Sequence, residues 1–206
     1  MQSLAGEWFV RLDPDDSGVR EQWYNQPFEY KLYLPGSLQE QGFGNDIDIL
    51  TKWTGQIVDS AWYKAPEYEK YRQPGNIKVP FWLNPDKHYV GVAWYQKKVR
   101  ILSGWAGKTT MLELERTHWE TTLYVDGKEI GAQDGLSTPH RYMLDLQPEK
   151  HIITVRVDNR VHIPVGINAH SVSDHTQSNW NGRTTVEKRL FSKKHPFRQL
   201  HTGWND

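Results

Sequence analysis

The 206-residue chain contains no cysteine. That absence excludes disulfide bridges, thiolate nucleophiles and cysteine-based zinc sites, and it leaves the redox compartment open. Net charge is missing too: 25 Lys and Arg balance 25 Asp and Glu, giving a formal charge of +0 and a pI of about 7.1. Without an overall field the chain has no electrostatic pull on nucleic acid or an anionic membrane. Neither is expected as a partner, and a neutral ligand fits better. Long apolar runs are also absent. No stretch approaches the ~18 residues of a membrane span, and the start, Met1-Gln-Ser-Leu-Ala-Gly-Glu-Trp8, lacks the basic and apolar regions of a signal peptide. The expectation is a soluble chain, periplasmic or secreted if a signal peptide has been removed. Aromatic residues, by contrast, are plentiful: ten Trp and ten Tyr accompany a mean hydropathy of -0.76. Such side chains build a core while keeping a polar edge wet.

Period-two alternation in short runs, broken by Gly, Pro and Asn, predicts many strands and little helix. Val92 to Ile101 and Thr110 to Arg116 read as strands, the second with Thr110, Leu112 and Leu114 on one face, and the two are expected to pair across Ser103 to Lys108. Trp94-Tyr95 is expected on an inner face, with Arg116 pairing to Glu115 or Glu120. Thr121 to Gly131 holds Asp126-Gly127 between β-formers, which predicts a hairpin. His151 to Asn159 predicts a core strand with Ile153, Val155 and Val157 inward and Thr154 and Arg156 outward. From Leu34 to Pro80 the chain is irregular and reads as long loops, with a helical turn at Ser37 to Gln41. The fold predicted from these elements is an all-β jelly-roll sandwich carrying recognition on a loop-bearing end or edge.

The segment Ser171-Val-Ser-Asp174-His175-Thr-Gln177-Ser-Asn179-Trp180-Asn181-Gly182 gathers amides, hydroxyls and a carboxylate around one indole. Sugar hydroxyls need such partners in fixed directions, and the C–H faces of a pyranose pack on indole. Asp174, His175, Asn179 and Trp180 are therefore candidate carbohydrate contacts. Against this, Asx and Ser side chains commonly cap their own turns, and Trp180 has the makings of a core residue. Asn45 and Asp46, on the early loop near Trp53, form a second candidate pair, because a carboxylate binds a hydroxyl through a charge-assisted bond. The bland reading there is a solvated turn.

Nine histidines include His170 and His175 near Asp174, but zinc needs three or four convergent ligands, so no metal or other cofactor is expected. Ser171 or Ser173 with Asp174 and His175 lacks a nucleophile elbow, and no catalytic residue is assigned.

Several motifs in order resemble the N-terminal sugar-binding domain of glycoside hydrolase family 2. They are Leu4-Ala-Gly6-Glu-Trp8, Leu34-Pro35-Gly36-Ser37, Trp94-Tyr95, Leu114-Glu115-Arg116, Val125-Asp126-Gly127-Lys128, Leu136-Ser-Thr-Pro139-His140, Val155-Arg156-Val157-Asp158-Asn159 and Asn179-Trp180-Asn181-Gly182. The ordered set spans roughly residues 4 to 182 and is closest to the β-galactosidase-like branch. The resemblance implies a galactose-binding-domain-like jelly roll. It also implies a parent enzyme in which an immunoglobulin-like domain and a barrel follow, with two barrel glutamates performing retaining hydrolysis. Loops of the first domain would help hold the sugar. The Asn-Glu dipeptide that carries the family's acid/base glutamate does not occur here.

The basic stretch after Gly182 departs from the family pattern, although Val186, Leu190 and Phe191 would suit a last strand. The expected organisation is a domain over 1–192 and a basic tail over 193–206, arising by truncation or a frame change, or else belonging to a free-standing module. The expected function is binding of a β-galactoside or related glycoside in support of hydrolysis elsewhere, with the chain itself non-catalytic. The alternatives are a free-standing carbohydrate-binding module or lectin, and a docking domain without a ligand.

Overall fold

The computed structural model describes residues 1–48, 51, 61–78, 87–135 and 137–160, together with the backbone of 184–188. Among these residues the chain is a jelly-roll β-sandwich. The strands are β1 (Gln2–Ser3), β2 (Gly6–Asp13), β3 (Tyr30–Leu34), β4 (Asn45–Asp46), β5 (Lys87–His88), β6 (Val92–Arg100), β7 (Thr110–Leu114), β8 (Glu120–Val125), β9 (Lys128–Gln133), β10 (His140–Leu144), β11 (Lys150–Asp158) and β12 (Thr184–Lys188). One sheet has the order β3-β2-β6-β11-β8-β9, the facing sheet β1-β12-β7-β10, and β4 and β5 form a separate ribbon. Described pairings are antiparallel.

The main core follows from alternation. Ile153, Val155 and Val157 on β11 are fully buried and meet Trp8, Val10, Tyr95 and Leu123 from the same sheet and Leu112, Leu114 and Tyr142 from the other. Trp8 is held in this core by an indole bond from Nε1 to the Leu4 carbonyl at 2.8 Å. Each large apolar side chain taken out of water here contributes about 1.5–3 kcal/mol.

The middle of the outer face of the six-stranded sheet is not solvated, contrary to the simple reading of alternation. Residues between β2 and β3 lie over it, so that Trp23 and Phe28 pack with Val92, Trp94 and Tyr124, flanked by Phe9 and Tyr24. Tyr24 stacks on Tyr124 with ring centroids 4.6 Å apart. Trp94 therefore belongs to this second layer and Tyr95 to the inner core, because neighbours on a strand point to opposite faces. The expectation that both aromatics face inward is corrected on that ground. Thr154 and Arg156, turned outward as predicted, end only 1% and 8% exposed beneath this cover.

β6 and β7 do not pair with one another. Both edges of β6 are taken by β2 and β11, while β7 pairs with β10 and β12. The link between them contains a 3-10 turn at Ser103–Trp105 with Trp105 buried, and it crosses from one sheet to the other instead of reversing as a hairpin. The β8–β9 hairpin is as predicted: Asp126 and Gly127 have φ of 50° and 78°, the positive pair that a two-residue hairpin turn requires. His151 and Ile152 brace that turn through the Asp126 carboxylate, at 2.6 and 2.7 Å.

The irregular early region contains short helical pieces, a 3-10 turn at Gln39–Gln41, α1 (Ala61–Lys64) and a 3-10 stretch at Pro66–Tyr71. Trp62, with Ile47, Tyr68 and Ile77 against it, makes a third small cluster. The last strand includes Val186 as expected, whereas Leu190, Phe191 and residues 193–206 lie outside the described residues.

Candidate functional site

The C-terminal end of β2, the N-terminal ends of β6 and β8 and the C-terminal end of β11 meet at one end of the sandwich. The registers place Asp13 opposite Val92, Val92 opposite Asp158, and Asp158 opposite Glu120. This end is a web of charge and hydrogen bonds. Asp13, 1% exposed, accepts from the backbone N–H of Ser17 and Gly18 at 2.8 Å each and from Trp94 Nε1 at 2.9 Å. A Cβ at Gly18 would lie 2.6 Å from Trp94 Nε1, so glycine is what lets the covering segment come this close.

Beside Asp13, Arg156 and Arg160 grip three carboxylates. Arg156 reaches Asp16 at 2.8 Å, Asp158 at 3.2 Å and Glu120 at 3.4 Å. Arg160 reaches Asp16 at 2.5 Å and Asp158 at 2.6 Å. Glu120 thus pairs with Arg156 rather than with Arg116, because β8 and β11 are neighbours in the sheet and Arg116 sits in the preceding turn with φ of 53°. Burial raises the Asp158 carboxyl, but the Arg160 hydrogen bonds and both guanidinium charges outweigh it and bring the group down to about 2. Burial likewise opposes the charged form of Asp16, and the two arginines again lower it. Both arginines are correspondingly held more firmly protonated. Carboxylates kept ionised in this way are suited to accepting hydrogen bonds and fixing backbone, not to donating a proton.

The same end anchors the β4–β5 ribbon. Asn159 donates from Nδ2 to the Tyr89 carbonyl at 2.9 Å and accepts from Gly91 N–H at 2.7 Å. Tyr89 Oη accepts from the Asp13 N–H at 3.2 Å and donates to the Val92 carbonyl at 2.5 Å. Tyr89 directly follows β5, so the β4–β5 ribbon is tied to this web. In the ribbon Asn45 is in register with His88 and Asp46 with Lys87. Gly44, at φ 115°, brings the ribbon so near that an added Cβ would be 2.9 Å from the His88 carbonyl.

Asn45 and Asp46 are both exposed, as a ligand contact requires, and the Asp46 carboxylate is paired to Lys87 Nζ at 2.6 Å. The other predicted contacts, Asp174, His175, Asn179 and Trp180, lie outside the described residues. The chain carrying them leaves from Arg160 and returns at Thr184, in register with Leu114.

Sequence reasoning gave no role to Asp16, Tyr89, Asn159 or Arg160. The available signal was the polar run Asp158-Asn159-Arg160 closing a strand of buried apolar residues, which marks a strand end tied into something. Among the described residues no group of three or more potential metal ligands is assembled, and no helix is long and apolar enough to cross a membrane.

The profile of the family described as "Glycosyl hydrolases family 2, sugar binding domain" matches residues 1–182. Solved structures of β-glucuronidase from Ruminococcus gnavus share the fold. The complex with D-glucaro 1,5-lactone is 18% identical at a TM-score of 0.52, covering 77% of this chain and 21% of that one. The complex with uronic isofagomine at 1.3 Å resolution is 18% identical at a TM-score of 0.53, covering 80% of this chain and 23% of that one. This chain thus spans about a fifth of the length of the structures it matches.

Proposed function

We propose, from the premise that this chain belongs to the sugar-binding domains of the family 2 glycosyl hydrolases, that it positions a β-linked pyranoside for hydrolysis by glutamates on a separate barrel domain of a parent enzyme. Asn45 and Asp46 on the ribbon, and Asp174, His175 and Asn179 beyond Arg160, serve as hydroxyl partners, with Trp180 as the apolar platform. The observation that supports this most directly is the anchoring of the ribbon that carries Asn45 and Asp46 to the end of β11, from which the chain runs on to the other candidates. Asn159, next to Arg160, is bonded to the backbone of Tyr89 and Gly91, and Tyr89 adjoins the ribbon. A ligand bound at the ribbon would meet the exposed Asn45 and Asp46.

The motif pattern favours a β-galactoside as the ligand. A β-glucuronide is the second reading, favoured by the likeness to the β-glucuronidase structures. Affinity of the domain alone should be weak, since a sugar trades water hydrogen bonds for protein ones at small net gain.

Ligand-observed NMR on the purified chain separates these readings. Saturation transfer to galactosides or to glucuronides, lost in both Asp174→Ala and Asn179→Ala, is the expected result, and the sugar that responds identifies the class. Transfer that persists in both variants would remove the 161–183 segment from the site. A folded sample silent to every sugar would favour a docking domain instead.

A further inference from the structure

Among the described residues both sheets end on an edge strand that is closed by the same device. β3 is one edge of the six-stranded sheet, and Tyr33 there turns its backbone away from β2. Its N–H donates to Gln41 Oε1 at 2.6 Å, and its carbonyl accepts from Gln41 Nε2 at 2.9 Å. A primary amide offers an acceptor and a donor side by side, as a strand residue does, so Gln41 fills one place of the missing ladder. On the other sheet β10 is the edge. There Gln133, the last residue of β9, accepts from Arg141 N–H at 3.1 Å and donates to the Arg141 carbonyl. One residue type thus makes one pair of bonds on two unrelated edges.

The chain around Gln41 is arranged to hold it there. Ser37 Oγ accepts from the Glu40 N–H at 3.2 Å while Glu40 Oε2 accepts from Ser37, a reciprocal cap that fixes the 3-10 turn ending in Gln41. Gln41 Nε2 also donates to the Ser37 carbonyl at 3.2 Å. A Cβ on Gly36 would lie 2.8 Å from both Gln41 Nε2 and the Tyr33 carbonyl, so the glycine of Leu34-Pro35-Gly36-Ser37 leaves the room this contact needs.

The edges need such closure. A net charge of +0 gives no general repulsion between copies. β3 is rich in β-formers, with Tyr30 and Tyr33 65% and 61% exposed, and its edge lysine Lys31 is neutralised by Glu7 at 3.2 Å. An exposed aromatic edge of this kind templates intermolecular strand pairing unless it is blocked. We propose that Gln41 and Gln133 are edge latches that keep β3 and β10 from pairing with the corresponding strands of a second copy of this chain.

The test is amide hydrogen exchange by NMR, with sedimentation velocity over a concentration series, on the wild-type chain, Gln41→Ala and Gln133→Ala. In the wild type the Tyr33 and Arg141 amides exchange slowly despite their edge positions. Gln41→Ala speeds Tyr33 by roughly tenfold and leaves Arg141 alone, and Gln133→Ala does the reverse. Each variant gains a concentration-dependent dimer that the wild type lacks. Fast exchange of both amides in the wild type overturns the proposal, and that readout does not depend on either variant folding. Variants that exchange fast but stay monomeric also overturn it, as do dimers that form without the change in exchange.

Discussion

Two buried histidines show how far local partners decide a side chain's behaviour. His140 is 1% exposed, with Nε2 2.9 Å from the Gly135 carbonyl and Nδ1 2.5 Å from Thr121 Oγ1, and burial pushes it below the ordinary 6.5. At His151 burial also disfavours the charged ring. The Asp126 carboxylate at 2.6 Å and the Gln147 carbonyl at 2.9 Å outweigh it and raise the group above 6.5. The two oppose each other with pH. With its folded value raised, His151 stabilises fully below pH 6.5, and that contribution is lost as pH rises through the folded value. With its folded value lowered, His140 costs stability as pH falls below 6.5, where the unfolded chain takes up the proton first. Urea titrations from about pH 5 to 9 are expected to show His151→Asn losing more stability on the acid side than on the alkaline side. In His140→Gln the acid-side decline of the wild type is expected to be smaller. A pH-independent deficit for His151→Asn would mean that its pairing with Asp126 is not ionic.

At the scale of elements, the β8–β9 hairpin was fully legible because its turn chemistry is local. Asp126-Gly127 supplies the two positive φ values, and no distant contact is needed to choose them. What the sequence did not reveal is that the turn is also packed from afar. A Cβ on Gly127 would stand 1.9 Å from Asn25 Oδ1, so the covering segment reaches the hairpin tip. Gly127→Ala is therefore expected to destabilise by more than the ~1 kcal/mol of the backbone conformation alone. Adding Asn25→Ala should recover only the steric part, and the denaturation midpoints of the single and double variants measure the split. Full recovery in the double variant would mean the positive φ costs nothing here. The ribbon β4–β5 was harder to foresee: two residues on each side, 41 positions apart between Asp46 and Lys87, carry too little pattern to be read as strands.

At the scale of the whole molecule, the middle of the six-stranded sheet is buried on both faces, so the inner core and the outer aromatic layer share β6 and β8. Trp94 and Tyr95 are consecutive yet serve different layers, which couples the layers through one backbone. Unfolding is accordingly expected to be a single transition. Far-ultraviolet circular dichroism should coincide with near-ultraviolet signals, to which the stacked Tyr24 and Tyr124 and the Trp94 tilted against them contribute. An earlier near-ultraviolet transition would show that the covering segment peels away independently. The charged end of the sandwich belongs to this scale as well, since Arg156 meets Asp16 across 140 positions of sequence.

The sequence by itself determined what depends on near neighbours. Alternation in β11 selected its inward residues, Asp126-Gly127 selected the hairpin, and Ser37 and Glu40 selected the turn that ends at Gln41. The tertiary structure alone decided which strands share a sheet, because an isolated strand has two equivalent hydrogen-bonding edges and its own pattern does not choose between them. It also decided that the outward face of β11 is covered, and that Asp16, Glu120, Arg156, Asp158 and Arg160 form one network. Those outcomes rest on contacts between residues far apart in the chain, and the local sequence at either partner is compatible with a solvated charge.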